Sequence, residues 1–153
     1  MRAEERTRQC PSPDVAINGA LLALNSVNGN ASNPIAFYDE AIHEKARKKV
    51  EIASQMHAAL ENREFHMYLQ PKYYLNDKTL HSAEALVRWY GADGTIHYPD
   101  EFIPVFEENG FITELDMYML EEACKKVADW TRKGYEVRPV SVNQSRIFFY
   151  DET

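Results

Sequence analysis

The chain has few cysteines, no long apolar run and a shortage of positive charge. Only Cys10 and Cys124 occur among its 153 residues. They are too far apart for a C-x-x-C pair, so we expect free thiols in a reducing compartment. No apolar segment approaches the roughly 20 residues that cross a bilayer, and the charged N-terminal residues lack the apolar core of a signal peptide. We therefore expect a cytoplasmic location, either for a free protein or for the cytoplasmic part of a membrane-anchored one.

The charge balance argues against polyanionic partners. Asp and Glu number 24 and Lys and Arg 17, which gives a net charge of −7. Such a surface favours neither a nucleic acid polymer nor contact with an anionic membrane, and an anionic ligand would need a local positive group or a bound cation. The 5 histidines show no H-x-H or H-E-x-x-H spacing, which speaks against a histidine metal site.

Common nucleotide-binding and hydrolase signatures are also missing. No G-x-x-x-x-G-K-[ST], G-x-G-x-x-G or G-x-S-x-G motif occurs. These motifs mark sites for nucleoside triphosphates, dinucleotide cofactors and serine nucleophiles. The composition itself is ordinary for a globular protein, with 44% hydrophobic and 27% charged residues, and the length suffices for one domain with its own core.

Two predicted strands organise the second half of the chain. Residues 68–74 and 82–89 are rich in aromatic and branched side chains, and the segment between them has turn chemistry. Alternation along the second strand places Glu84, Leu86 and Arg88 on one face. Charges in a mostly apolar strand need a partner, a metal or water. Spacing alone leaves a simple ion pair between Glu84 and Arg88 as the commoner explanation.

Helical periodicity accounts for most of the remaining residues. The predicted helices cover residues 14–27, 39–62 and 100–109, and a fourth follows Thr113 and ends before Gly134. Asp100 is the expected cap of the third, and Thr113-Glu114-Leu115-Asp116 resembles a capping box for the fourth. A third strand is predicted over residues 137–143. The order strand, strand, helix, helix, strand indicates an α/β layout with a parallel pairing across the helices.

Several short motifs follow one another between about Glu64 and Ser145. They are Gln70-Pro71, Glu84-Ala85-Leu86-Val87-Arg88-Trp89, Pro99-x-x-Phe102-Ile103-Pro104, Glu107-Glu108-x-Gly110, Leu115-Asp116 and Ser141-Val142-Asn143-Gln144-Ser145. In order and spacing they resemble the motifs of the EAL domain, a family of bacterial phosphodiesterases that hydrolyse cyclic di-GMP. The preceding segment, roughly residues 15–44, resembles more weakly the end of a GGDEF domain, without that domain's active loop.

The resemblance implies a fold and a domain order. The fold is α/β, a partial TIM-like (β/α) barrel of the EAL type with about the first three strands and their helices. Residues 1–38 would be a C-terminal remnant of a GGDEF-like domain, residues 39–63 a linker helix, and residues 64–153 the amino-terminal half of an EAL domain. Because the barrel would be open, we expect a homodimer or a partner chain to cover its edge.

The resemblance also implies roles for five residues. Glu84 and Asn143 match metal-binding positions, and their oxygen donors suit Mg²⁺ or Mn²⁺. Arg88 matches an arginine that contacts a ligand phosphate, and Gln70 and Leu86 match positions that touch the nucleotide. The implied chemistry is attack of metal-activated water on one phosphodiester of cyclic di-GMP, which gives linear pGpG.

The family's later motifs have no counterpart in these 153 residues. They supply further metal ligands and the lysine that helps activate water. We therefore expect no phosphodiesterase turnover from this chain by itself. The alternative is a non-catalytic module that binds cyclic di-GMP, or that serves regulation or dimerisation.

Overall fold

The computed structural model describes residues 12–27 and 37–149. They form two compact units, one up to Val50 and one from Glu51 onward. Helix α1 (Pro13–Val27) lies in the first unit, and helix α2 (Glu40–Glu61) begins in it and continues into the second. In the first unit Gly19 of α1 is buried against the ring of Tyr38, where an added Cβ would lie 3.0 Å from the ring. A larger residue at position 19 would therefore push the ring away.

The second unit is built on a small mixed sheet. Its strands are β1 (Phe65–Tyr73), β2 (Leu80–Tyr90), β3 (Ile96–His97) and β4 (Val140–Val142). Strand β2 is central, since it pairs antiparallel with β1 along one edge. Along its other edge it pairs antiparallel with β3 and parallel with β4. In this register Gln70 of β1 and Ser141 of β4 both lie opposite Glu84.

Helices α3 (Pro99–Asn109) and α4 (Ile112–Arg132) connect β3 to β4. Together with the C-terminal half of α2 they cover one face of the sheet, where a hydrophobic core forms. Trp89, Phe102 and Phe106 are completely buried in this core, and their rings contact one another. None of the described helices is both long and apolar enough to cross a membrane.

The predicted α/β class is confirmed, and three boundary predictions are wrong. Asp100 does not cap α3, because the helix begins at Pro99, whose fixed φ suits a first helical position. Thr113 does not cap α4, which begins at Ile112. The third strand is shorter than predicted: residues 137–139 precede it, and only Val140–Val142 pair in parallel with β2. Pro139 lacks an N–H to donate to a ladder, although its carbonyl accepts a hydrogen bond from the N–H of Ala83 at 3.0 Å.

Candidate functional site

The sheet face opposite the core carries the polar residues that the sequence singled out. Ala85 and Trp89 of β2 are buried in the core, at 3% and 0% exposure. Because side chains alternate along a strand, Glu84, Leu86 and Arg88 lie on the opposite face. Gln70 shares that face with Glu84, since residues directly opposite in an antiparallel pair point the same way. We call this surface the open face.

Glu84 is held from two sides. The Lys72 ammonium lies 2.7 Å from Glu84 Oε2. Asn143, which follows the last residue of β4, donates a hydrogen bond from its Nδ2 to Glu84 Oε1 at 2.9 Å. The predicted metal positions, Glu84 and Asn143, are therefore brought into direct contact.

The simple ion pair between Glu84 and Arg88 is not formed. Lys72 is the ion-pair partner of Glu84, and Arg88 Nη1 donates to the carbonyl of Val87 at 2.7 Å. The strand register explains this outcome. Lys72 of β1 lies opposite Ser82 of β2 and is therefore diagonal to Glu84. Arg88 lies four residues farther along β2, toward the end that leads into β3.

The partners of Glu84 set its charge state. The hydrogen bond from Lys72, followed by the one from Asn143 and the Lys72 charge, holds the pKa of the Glu84 carboxyl below its usual value. The Glu84 side chain retains 25% exposure and that of Lys72 47%. Glu84 is therefore an ionised, water-accessible carboxylate at neutral pH, which is the form that can accept from a donor or bind a cation.

Lys72→Met is expected to raise the pKa of Glu84 more than Asn143→Ala does, because Lys72 is the larger cause of its depression. Carbon-13 NMR titration of the Glu84 carboxyl would measure both shifts. Because the pKa of Glu84 is lowered in the folded chain, its contacts stabilise the fold fully above the unfolded pKa of about 4.3. This stabilisation is lost as the pH falls through the folded pKa. The stability difference between the native chain and Lys72→Met should therefore shrink on acidification.

The control for this titration is Lys78→Met, in the loop between β1 and β2. It removes the same charge without touching Glu84 and should leave the Glu84 titration unchanged. Equal shifts in Lys72→Met and Lys78→Met would show that net charge, and not the contact, sets the pKa.

Three of the five predicted site residues line one cavity. Leu86, Arg88 and Asn143 border a cavity of about 230 Å³ at the C-terminal ends of β2 and β4. Gln70 and Glu84 are not part of its lining. Its other lining residues come from the core-facing side of the sheet and from α3 and α4, among them Val87, Ile103 and Met119. The cavity therefore lies between the strand ends and these helices, and Asn143 connects it to Glu84.

An aromatic cluster that sequence reasoning missed adjoins Arg88. The hydroxyls of Tyr68 and Tyr90 lie 2.8 Å apart, and their rings are stacked with centroids 6.3 Å apart. His66 packs edge-on against Tyr90 at 5.3 Å. The hydrogen bond with Tyr68 raises the pKa of the Tyr90 hydroxyl. The available signal was alternation in β1, which places His66, Tyr68 and Gln70 on one face.

Glu84 and Asn143 fit a hard divalent cation as part of a ligand set. A carboxylate and an amide offer the oxygen donors that Mg²⁺ or Mn²⁺ prefers. The two side chains are adjacent, with Asn143 Nδ2 turned toward Glu84 Oε1, so a shared cation would take Asn143 Oδ1 after the amide rotates. Within residues 12–27 and 37–149, no group of three or more His, Cys, Asp or Glu side chains is arranged to hold a metal. These two residues would therefore contribute to a site and not complete one.

Comparison with known proteins shows the family of this chain. The family model described as "EAL domain" matches residues 53–153. The oxygen sensor protein DosP of Escherichia coli strain K12 is 26% identical over 136 residues, covering 89% of this chain and 17% of DosP. The cyclic di-GMP phosphodiesterase NbdA of Pseudomonas aeruginosa is 30% identical over 127 residues, covering 83% of this chain and 16% of NbdA.

A solved structure is similar at the level of the fold. The PaMucR phosphodiesterase in complex with c-di-GMP aligns with a TM-score of 0.61 and 27% identity, over 67% of this chain and 41% of that one. The chain thus spans less than a fifth of these curated relatives and less than half of the solved chain.

Proposed function

This chain belongs to the EAL domain family, and from that premise we propose that its open face is part of a cyclic di-GMP phosphodiesterase site. The observation that carries the proposal is the convergence of Leu86, Arg88 and Asn143 on one cavity beside Glu84. A cyclic dinucleotide presents two phosphates and two planar bases. The open face offers a guanidinium for the former and apolar and aromatic surface for the latter.

Each of the five residues has a proposed role. Arg88 contacts a phosphate through its planar fork of donors, and Gln70 and Leu86 touch the nucleotide. Glu84 and Asn143 would hold Mg²⁺ or Mn²⁺. When bound, the cation would supply an activated water for hydrolysis of one phosphodiester to pGpG. The chain's own contribution is to hold Glu84 ionised and to hold Asn143 against it.

Arg88→Ala is expected to weaken binding of cyclic di-GMP about 10–100-fold, because hydrogen bonds to a charged group contribute about 1.5–3 kcal/mol. Isothermal titration calorimetry with cyclic di-GMP in the presence of Mg²⁺ would measure the affinity. Arg88→Lys should recover only part of it, since an ammonium does not reproduce the bidentate fork.

The matched control is Arg138→Ala, which removes a half-exposed arginine that pairs with Glu136 at 2.7 Å. It should leave the affinity unchanged. Absence of any binding by the native chain would overturn the proposed ligand. Equal weakening by both alanine variants would show that the open face does not hold the phosphate.

A second candidate function is binding without hydrolysis. The observation that favours it is the Lys72 ammonium, which lies against Glu84 within ion-pair distance and so competes with a cation for that carboxylate. Release of pGpG by the native chain, abolished in Glu84→Ala, would rule this candidate out for the chain by itself.

The domain order stays a proposal. Residues 1–38 would be the remnant of a GGDEF-like domain, residues 39–63 a linker helix and residues 64–153 the amino-terminal half of an EAL domain. Support comes from α1, where Ile17, Leu21 and Leu24 are each more than half exposed among the described residues. An uncovered apolar face of this kind is typical of a helix taken from a larger packed domain.

A homodimer or a partner chain is proposed to cover the sheet edge. An apolar groove of about 460 Å³ lies between β1, the start of β2 and the segment after α4, and Leu69, Pro71 and Trp130 are among its lining residues. At the end of β1 both Tyr73 and Leu75 are exposed, at 58% and 96%. Such apolar surface beside a sheet edge favours association. Sedimentation of the chain as a monomer at all concentrations would contradict a homodimer.

A further inference from the structure

We propose that Asp116 and Glu107 are positioning residues that anchor the turn after β4 and thereby aim Asn143 at Glu84. The effect of this anchor on ligand binding rests on the proposed function, whereas its effect on the orientation of Asn143 can be tested without a ligand. Both residues lie outside the five that the sequence assigned to the site, and both belong to the helices that cover the core face.

Asp116 is the main anchor. It lies in the second turn of α4 with only 7% exposure, and its Oδ2 accepts a hydrogen bond from the backbone N–H of Ser145 at 2.6 Å. Burial and the neighbouring Glu107 carboxylate raise the pKa of Asp116, whereas the Ser145 hydrogen bond lowers it. Burying a carboxyl is costly unless it makes a specific contact, and Asp116 makes that contact with Ser145.

Glu107 of α3 reaches the same residue. The Ser145 hydroxyl donates to Glu107 Oε1 at 3.3 Å, and it accepts from the backbone N–H of Ile147 at 3.4 Å. Two different helices therefore converge on a single turn residue. Because α3 and α4 are fixed by the aromatic core, they provide a rigid reference for the turn.

The anchor matters because β4 is too short to orient Asn143 alone. Only three residues of β4 pair with β2, and Asn143 follows the last of them. Ser145 lies two residues farther on, so fixing its backbone limits the conformations open to Asn143. Asn143 and Asp116 line the same cavity, and Asn143 donates to Glu84 at 2.9 Å. Active-site geometry tolerates little displacement, since a shift of about 1 Å can cost roughly 100-fold in rate.

The test follows the Asn143 side-chain amide by ¹⁵N NMR of the full chain, with its resonances assigned through Asn143→Ala. In the native chain, the Asn143 amide proton that is hydrogen-bonded to Glu84 should resonate downfield of the side-chain amide protons of Asn76, which lies in the loop between β1 and β2. In Asp116→Ala it should move upfield, toward the Asn76 position. Asp116→Asn retains an acceptor oxygen and should restore most of the native shift. Ser145→Ala removes the hydroxyl contacts with Glu107 and Ile147 but keeps the backbone N–H that Asp116 accepts, so it should give a smaller change.

The matched control is Ile112→Ala, one turn earlier on α4, because Ile112 is buried in the core and does not line the cavity. It should lower stability without moving the Asn143 amide. If Ile112→Ala moves the amide as far as Asp116→Ala does, or if both Asp116→Ala and Ser145→Ala leave it in place, the anchor is wrong. Should Asp116→Ala fail to fold, Ser145→Ala and Asp116→Asn still decide the outcome.

Cyclic di-GMP titrations separate this inference from the proposed function. If the native chain binds the dinucleotide and Asp116→Ala weakens binding while Ile112→Ala does not, both stand. If the amide responds as expected but no variant binds the dinucleotide, the anchor stands and the ligand assignment fails. If binding occurs and the amide does not respond, only the anchor fails.

Discussion

Replacing Trp89 with alanine is expected to lower the free energy of unfolding by about 3–5 kcal/mol, the usual range for removing a buried tryptophan. Trp89 is completely buried, and its ring lies 5.2 Å from that of Phe65 and 5.7 Å from that of Phe102. Its Nε1 donates to Glu64 Oε2 at 3.0 Å. Alanine would leave a cavity at the centre of the core and a carboxylate without this donor.

Urea denaturation followed by far-ultraviolet circular dichroism would measure the loss. Trp130→Ala is the matched control, because Trp130 is half-buried on α4 with Lys126 above its ring at 5.9 Å. It should cost less than half as much. Trp89→Phe keeps an aromatic ring but removes the Nε1 donor, so it remains measurable if Trp89→Ala does not fold. Equal losses at positions 89 and 130 would contradict the placement of the core.

The features that could be predicted are determined by residues close together in the sequence. In strand β2 the buried residues Ala85 and Trp89 share one face, and the period of two that separates them from Glu84 and Arg88 can be seen without knowing any partner. The turn before it was likewise foreseeable, since Asp77 accepts hydrogen bonds from the N–H and hydroxyl of Thr79. These features depend on neighbours only a few residues away.

The elements that escaped prediction depend on contacts elsewhere in the chain. Strand β3 has only two residues and exists because they pair with Trp89 and Tyr90, so it has too little sequence to show a period. The start of α4 is fixed by Asn109, whose Oδ1 accepts from the N–H of Phe111 at 3.0 Å. Sequence reasoning gave the capping role to Thr113 and Asp116, but Asp116 bonds Ser145, 29 residues away.

The same distinction applies to the site. Alternation correctly grouped Glu84 and Arg88 on one face, yet it could not tell which cation pairs with Glu84. That depends on the register of β1 against β2 and on the irregularity at Lys72 and Tyr73. Only family resemblance suggested that Asn143 approaches Glu84, because their separation of 59 residues carries no local signal. The roles of these residues toward metal and nucleotide remain predictions.

Removing the Glu84 carboxylate is expected to abolish binding of Mn²⁺ to the open face. Loss of a residue that only orients a metal ligand costs about 10–100-fold in metal affinity, so loss of a direct ligand should cost more. Of the two proposed ligands, Glu84 is the charged one. Asn143→Ala, which removes a neutral donor, should therefore weaken Mn²⁺ binding less than Glu84→Ala. Water-proton relaxation during titration with Mn²⁺ would rank the variants, with Lys78→Met as a control for general charge effects.

Lys72→Met should change the same titration in the opposite direction. A cation that approaches Glu84 must displace or tolerate an ammonium 2.7 Å from the carboxylate, and two positive charges beside one carboxylate repel each other. Removing the ammonium is therefore expected to raise Mn²⁺ affinity above that of the native chain. Weaker binding in Lys72→Met would mean that the lysine supports the cation site, and unchanged binding in Glu84→Ala would place that site elsewhere. Either result would overturn the proposal that Glu84 binds the cation and that Lys72 competes with the cation for its carboxylate.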